Sequence, residues 1–148
     1  MRRSMTAEWM IAAAALSLVG RDAHAELFSK AYAFKAGTTL EINAELPGSI
    51  RLDSVQFLLP QADPAKEGVF GGPKAKVSIS NLGSVSQKVG IVIAVTDADG
   101  RLLGVASGGT KLFPLRADRQ IFYTLPFDSV RSELSKGTVF RISIEPAP

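Results

Sequence analysis

The feature that most constrains the fold of this chain is a set of short segments in which apolar and polar residues alternate strictly. Between Thr39 and Leu46 every second residue is apolar, and the positions between them carry Thr, Glu and Asn. A period of two places successive side chains on opposite faces of an extended chain, which is typical of a β-strand with one buried face. Residues 74–81 and 138–145 show the same alternation. The chain is therefore predicted to form β-sheets with one apolar side.

One of the predicted strands changes phase along its length. Leu52 belongs to the apolar set before residue 53, whereas Val55 and Phe57 belong to it afterwards. A slip of one residue moves every later side chain to the other face of a strand. We therefore expect a β-bulge, or a break into two strands, at Asp53–Ser54.

Two residue pairs are interpreted as turn-forming. Pro47 and Gly48 fit the second and third positions of a type II turn, whose third residue needs a positive φ. Asp99 and Gly100 stand between two apolar runs, and Asp-Gly is the pair that a two-residue type I′ hairpin favours. Each pair is expected to reverse the chain between two strands.

The carboxylates of Asp97 and Asp99 leave a calcium site open as an alternative to a plain turn. An EF-hand with Gly100 at its sixth position would need carboxylates where Val95 and Ala106 stand, so that frame fails. A looser calcium site built from Asp97, Asp99 and backbone carbonyls stays as the alternative to a plain turn.

The remaining pattern completes the fold prediction. A short crossover helix is predicted near 128–136, with an edge strand as the alternative, and Gly137 is placed to end it. The run 89–95 is apolar on both faces, as expected of a central strand. Short strands with frequent turn signals predict an all-β, antiparallel, immunoglobulin-like sandwich of about 7–9 strands, in a single domain at 26–148. Further strands are predicted around Tyr32 and Phe34, at 102–107, at 111–115 and at 119–125.

The N-terminal segment has the three parts of a secretory signal peptide. Arg2 and Arg3 precede an alanine-rich apolar stretch that is too short to span a bilayer, and Ala23 and Ala25 form a small-x-small cleavage site. We therefore predict that residues 1–25 are removed and that the protein is periplasmic or secreted, with no stable membrane span afterwards. Sequencing the N-terminus of the exported protein should find Glu26.

Removing the predicted signal peptide changes the charge and the available chemistry. It takes away three of the 17 basic and two of the 14 acidic residues, which leaves a net charge of +2 with no basic run and no footprint for nucleic acid. The remaining chain contains no His, Cys, Met or Trp. Zinc, copper, haem and iron–sulfur ligation and His- or Cys-dependent nucleophiles therefore have no residues to use, and no cofactor is expected.

The segment Val77–Phe127 contains Asn81 and Gly83 at the end of a strand, the Asp97-x-Asp99-Gly100 turn, the return strand Leu102–Gly104, and the aromatic pair Phe122 and Tyr123. In these features it resembles the core of bacterial FxLYD-type immunoglobulin-like domains and, more distantly, of the water-stress WHy domain. The resemblance implies an exported accessory or interaction module without a defined active site, and it carries over no functional residue. At the FxLYD name motif, the stretch Ala94-Val95-Thr96-Asp97 keeps the Asp but lacks the Phe and Tyr.

One long loop is the candidate binding site. The segment 60–74 exceeds the usual length of a connection, and loops of that size are commonly functional or disordered. Phe70 stands between glycines, and Lys66, Val69, Phe70 and Lys74 are the candidate contact residues. The alternative is a variable connection whose Phe70 folds back on the sandwich. If the loop binds a partner, loss of Phe70 weakens that binding and leaves the melting temperature nearly unchanged.

Three classes of function remain. The first is a non-enzymatic binding module that contacts another exported or envelope protein through a sheet edge or the long loop. The second is a binder of a small hydrophobic ligand or a carbohydrate, which a fully packed core would exclude. The third is a hydrolase that uses two carboxylates across a cleft. Its candidates, Glu41 with Glu45 and Asp53 beside Arg51, are interpreted as solvated strand faces. The first class is favoured.

Overall fold

The computed structural model describes residues 27–60, 71–128 and 133–147, and these residues form eight β-strands in two four-stranded sheets. The first sheet has the strand order β1-β8-β5-β6 and the second β2-β3-β4-β7, and every pairing is antiparallel. The predicted two-layer antiparallel β-sandwich is confirmed. The strands are β1 (Phe28–Ala33), β2 (Thr39–Leu46), β3 (Ile50–Leu58), β4 (Lys74–Asn81), β5 (Lys88–Thr96), β6 (Leu102–Gly109), β7 (Arg119–Pro126) and β8 (Val139–Ala147).

Two of the predictions fall on parts of the chain that the structure does not describe. The predicted signal peptide, with Ala23 and Ala25, lies outside the described residues. Lys66, Val69 and Phe70 of the predicted binding loop lie outside them too. Among the residues that are described, no helix is both long enough and apolar enough to cross a membrane.

The core lies between the sheets and is filled by the inward-facing, alternate residues of the strands. The ring of Phe57 lies with its centroid 4.6 Å from that of Phe34, 4.8 Å from Phe140 and 6.4 Å from Phe127. These tilted and edge-on arrangements are the ones that aromatic rings favour. The four rings come from both sheets and their connections, so they join the two layers.

The phase change in β3 is a β-bulge, as predicted. Leu52 pairs with Ile79 and Ser54 pairs with Ser78, so Asp53 is an extra residue with no partner in β4. The extra residue restores the apolar side chains after it to the inner face. Because of this bulge the apolar residues on both sides of it, Leu52 and Val55, are buried.

Strand β5 is central within its sheet, as predicted, but only one of its two faces is buried. Its inward residues, Val89, Ile91 and Ile93, are at most 2% exposed, whereas Val92 on the outer face is 46% exposed. The pairing of β5 with β6 and β8 covers the two backbone edges of β5. Burial of its two faces needs a layer on each side, and no described element covers the outer face of this sheet.

The predicted strand at 111–115 is wrong. Leu115 alone makes a bridge, with Gln87, and the residues before it form an irregular connection from β6 to β7. This connection crosses from the first sheet to the second, and Pro114 has no N–H to give to a ladder. The apolar residues in it are therefore not held in a sheet.

Pro47 and Gly48 lie in a tight connection between β2 and β3. Gly48 has φ +74° and ψ 18°, close to the third position of a type II turn, and Ser49 also has a positive φ of 61°. The strand pairing closes directly around this three-residue turn, between Leu46 and Ile50.

Asp99 and Gly100 lie in a turn between β5 and β6, but its type differs from the prediction. Gly100 has φ +78°, whereas Asp99 is not among the described residues with positive φ, so the two-residue type I′ turn is wrong. The N–H of Asp97 donates to the carbonyl of Arg101 (3.0 Å), and the N–H of Gly100 donates to the carbonyl of Asp97 (3.1 Å). A glycine with positive φ at the end of such a turn is typical of a three-residue hairpin.

The predicted helix near the C-terminal end is represented by a single 3₁₀ turn at Leu134–Lys136, while residues 129–132 lie outside the described part. Gly137 follows this turn, but its φ of −59° is open to any residue. A Cβ there would lie 2.6 Å from Cγ1 of Val95 and 2.9 Å from Cδ1 of Phe34. Close packing, not a left-handed cap, therefore accounts for this glycine.

Candidate interaction surface

The connection from β6 to β7 presents two large apolar side chains to solvent. Leu112 is 88% exposed and Phe113 is 80% exposed. In β7, Ile121 is 42% exposed on the side of these two residues, and Phe122 is 55% exposed on the opposite face of the strand. Apolar side chains exposed together on the surface of a domain are typical of a contact site. We call this the edge surface; it comprises the segment Lys111–Arg116 together with Arg119, Ile121 and Phe122.

The connection is held at both of its ends, which fixes where the two apolar side chains lie. The N–H of Thr110 donates to the carbonyl of Val89 (2.9 Å), and the hydroxyl of Thr110 accepts from the N–H of Val89 (2.9 Å). Leu115 is buried and exchanges backbone hydrogen bonds of 2.7 and 2.9 Å with Gln87. The amide of Asn81 donates to the carbonyl of Leu115 (3.0 Å). The exposed residues therefore lie on a short, anchored segment.

A groove runs between this segment and β7. Its volume is about 390 Å³, and it is lined by residues 109–115 and by the side chains of Ile121 and Tyr123. The hydroxyl oxygen of Tyr123 is buried and makes no hydrogen bond with a described residue, and burial raises the pKa of this phenol. The groove is thus mainly apolar, with Thr110 and Lys111 as polar residues in its lining.

The apolar part of the edge surface is bordered by basic side chains. Lys111, Arg116 and Arg119 form no salt bridge with another residue of the described ranges. The ammonium of Lys76 lies 4.5 Å from the ring centroid of Phe122, within the range of a cation–π contact. Between Lys111 and Phe122 the sequence contains one acid, Asp118. The edge surface therefore favours an apolar partner that carries negative charge.

A buried carboxylate lies on the outer face of the second sheet, where the sequence predicted a solvated strand face. Asp53 is only 5% exposed. One carboxylate oxygen accepts from Nε of Arg51 (2.6 Å), and the other accepts from the hydroxyl of Ser80 (2.7 Å) and the amide of Gln120 (3.1 Å), with the hydroxyl of Ser78 at 3.3 Å. The solvated interpretation of Asp53 is therefore wrong.

The hydrogen bonds also set the pKa of Asp53. Burial by itself raises the pKa of this carboxyl, but the hydrogen bonds from Ser80, Arg51 and Gln120, together with the charge of Arg51, outweigh burial and hold it below the usual value. The ionised carboxylate of Asp53 accepts hydrogen bonds from its neighbours on three strands. It is therefore a structural centre that links β3, β4 and β7. Since Gln120 belongs to β7, this centre supports the strand that carries the edge surface.

The carboxylate of Asp97 is likewise used within its own loop. It accepts from the N–H groups of Asp99 (3.0 Å) and Arg101 (2.9 Å), and Nε of Arg101 lies 3.2 Å away. The hydrogen bond from the N–H of Arg101 is the main cause of the lowered pKa of Asp97. Within 27–60, 71–128 and 133–147 there is no group of three or more His, Cys, Asp or Glu side chains that could hold a metal ion.

Two further cavities bear on the small-ligand alternative. One, of about 350 Å³, is an open depression on the outer face of the first sheet around Gly90, Val92 and Gly108. The other, of about 200 Å³, lies between the edge strands β1 and β2, with Leu40, Phe57 and other apolar side chains in its wall and Lys35 beside it. The second cavity is smaller than the roughly 300 Å³ at which ordinary ligand pockets begin. The groove at β7 is larger than either cavity and is lined by the exposed side chains of the connection, so it is the stronger candidate site.

The predicted loop and the edge surface are different sites. Lys74, the one candidate residue of the loop that the structure describes, pairs with Pro126, whereas the edge surface lies at the Arg119 end of β7. Sequence reasoning therefore missed the edge surface. The signal that could have revealed it is Pro114 inside an apolar run, because a proline there argues against a paired strand.

Comparisons with protein-family models, curated proteins and solved structures gave no match to this chain.

Proposed function

We propose that this protein is an exported, non-enzymatic binding or accessory module that contacts another exported or envelope protein through the edge surface. The single observation that carries the proposal is the exposure of Leu112 and Phe113 on a segment anchored at both ends. Export is supported by the three-part N-terminal signal. The absence of His and Cys from the predicted mature chain supports a role in contact without chemistry.

The proposal predicts that replacing Leu112 and Phe113 together by serine abolishes partner binding without harming the fold. Burying such side chains in a contact contributes about 1.5–3 kcal/mol each, so their joint loss should weaken binding at least about a hundredfold. Because both side chains are exposed in the free protein, the melting temperature should stay nearly unchanged. A photo-crosslinking residue in place of Phe113, used in intact cells, should capture one exported protein, and its yield should fall when Leu112 is serine.

The matched control replaces two exposed apolar residues at the opposite end of the sandwich. Leu102 and Val139 both lie beside Thr96, whereas the edge surface begins beyond the pairing of Gly90 with Gly109 at the other end of β5. Serine at these two positions should leave the crosslink intact. Equal capture from position 113 and position 139 would contradict the proposed function.

A further inference from the structure

Strand β7 ends the second sheet, and no described strand pairs with its far side. The direction of its backbone groups follows from one hydrogen bond, in which the N–H of Phe127 donates to the carbonyl of Pro73 (2.9 Å). Residues of an antiparallel strand alternate between those that bond one neighbour and those that face the other side. Pro126, which has no N–H, occupies a position of the second kind, as expected of proline in an edge strand.

The same alternation applies to the rest of β7. Ile121 and Tyr123, in register with Ile79 and Val77, direct their N–H and C=O groups toward β4. Gln120, Phe122 and Thr124 therefore direct theirs toward the free edge. An exposed row of this kind is a template for another strand.

The groove borders the inner face of β7, the last strand of its sheet. The side chains of Ile121 and Tyr123 line it, across from the segment that carries Leu112. A strand added beside β7 would place every second side chain toward the inner face of the sheet, next to these residues. Two apolar side chains separated by one residue would then enter the groove.

The charge of the edge surface selects among such strands. Arg116, Arg119 and Lys111 surround the start of β7, and none is paired with a described acid. Acidic residues next to the apolar pair would be attracted to these groups, and basic ones repelled. A second copy of this chain would bring the same basic residues to the contact, so the charge favours a different partner.

We propose that the free edge of β7 accepts an extended segment of the partner as a fifth strand, whose two apolar side chains at alternate positions fill the groove and whose acidic residues face Lys111, Arg116 and Arg119. This inference rests on the proposed function and names the chemistry of the segment that is recognised. It makes the backbone of β7, and not its side chains alone, part of the binding site.

The test begins with a library of random short peptides displayed on phage and selected on the processed protein. The enriched sequences should carry two apolar residues separated by one residue, with Asp or Glu beside them. Synthetic peptides of that pattern should bind Thr124→Pro at least about tenfold more weakly than the original protein, because proline removes an N–H that faces the free edge. Thr124→Val keeps that N–H and a β-branched side chain, so its affinity should be unchanged.

Hydrogen exchange of the original protein gives a second readout that needs no substitution. The amides of Phe122 and Thr124 should exchange rapidly in the free protein and at least about tenfold more slowly with bound peptide. The amides of Ile121 and Tyr123 should be protected in both states, because β4 already accepts their hydrogen bonds.

The outcomes separate this inference from the proposed function. Peptides that bind Thr124→Pro as well as the original protein, and leave exchange at Phe122 unchanged, overturn strand addition. If the same peptides fail to bind the variant with serine at positions 112 and 113, the proposed contact through the edge surface is retained. If no peptide is enriched, and the protein instead binds phosphatidylglycerol vesicles in a way that requires Phe113, both proposals are overturned in favour of binding to a membrane surface.

Discussion

Replacing Gly109 by alanine is expected to lower the free energy of unfolding by about 3–5 kcal/mol. Gly109 has φ +137°, a conformation that residues with a side chain rarely adopt. A Cβ at this position would also overlap the carbonyl oxygen of Val89, which is backbone and belongs to the central strand β5. That same carbonyl accepts the N–H of Thr110 that anchors the edge surface. Urea unfolding of the purified protein measures the loss.

Gly90 supplies the matched control for this prediction. It lies directly opposite Gly109 in the β5–β6 pairing, and a Cβ built on it meets no atom within 4 Å. Gly90→Ala should therefore be neutral, or stabilising by up to about 1 kcal/mol, because alanine restricts the unfolded chain. Equal effects of the two substitutions would contradict the close approach of Gly109 to the carbonyl of Val89.

Gly109→Ala should also weaken partner binding, since Leu112 loses its fixed position.

Replacing Asp53 by alanine is expected to lower the free energy of unfolding by about 2–4 kcal/mol. The substitution leaves Ser78 and Ser80, both buried, without the acceptor that they use. Gln120 loses one of its two acceptors and keeps the hydroxyl of Ser78. Arg51 is partly exposed and can turn to water, which keeps the cost below that of a fully enclosed ion pair. Thermal and urea unfolding check the magnitude.

Glu41 provides the control for Asp53. It lies on β2 at the same sheet face, in register with Ser54, but is exposed and makes no hydrogen bond to a described side chain. Glu41→Ala should change the free energy of unfolding by no more than about 0.5 kcal/mol. A loss at position 41 as large as that at position 53 would contradict the assignment of the buried centre.

Acid should destabilise the protein through Asp53 in a defined direction. The pKa of this carboxyl is lower in the folded protein than its usual value near 4, so its ionised form contributes stability above that usual value. The contribution is lost as the pH falls toward the lower pKa of the folded state. The free energy of unfolding measured against pH should therefore fall less steeply below about pH 4 in Asp53→Ala than in the original protein. Identical slopes would show that Asp53 is not ionised with a lowered pKa.

Asp53 and Leu112 show which structural features a local sequence pattern can predict and which it cannot. The phase change around Asp53 predicted a bulge, because an interruption in a period of two has few structural solutions. That pattern could not show that serines of β4 and a glutamine of β7 would close over the carboxylate, since these residues are distant in sequence. For Leu112 and Phe113 the apolar run predicted a strand, because apolarity by itself does not report whether a neighbouring layer is present to cover it.

The candidate site follows the same division. The long loop at 60–74 was predicted from its length and from Phe70, which are local properties of the chain. The edge surface needs two facts that are not local: β7 has no described neighbour on its far side, and the preceding connection is pinned by Val89 and Gln87. The first fact has only a weak local signature, Pro126 in β7, because proline is tolerated in edge strands. The second has none, because Val89 and Gln87 are distant in sequence from the residues that they hold.

By itself, the sequence determined that this chain forms antiparallel strands, where most of them lie, and that its predicted mature part lacks imidazole and thiol side chains. These are properties of single residues and of their spacing, so a one-dimensional pattern contains them. Which strands end the sheets, which carboxylate is enclosed and which apolar side chains face water were decided only by the tertiary structure. The physical reason is that burial and pairing depend on neighbours that come from remote parts of the chain.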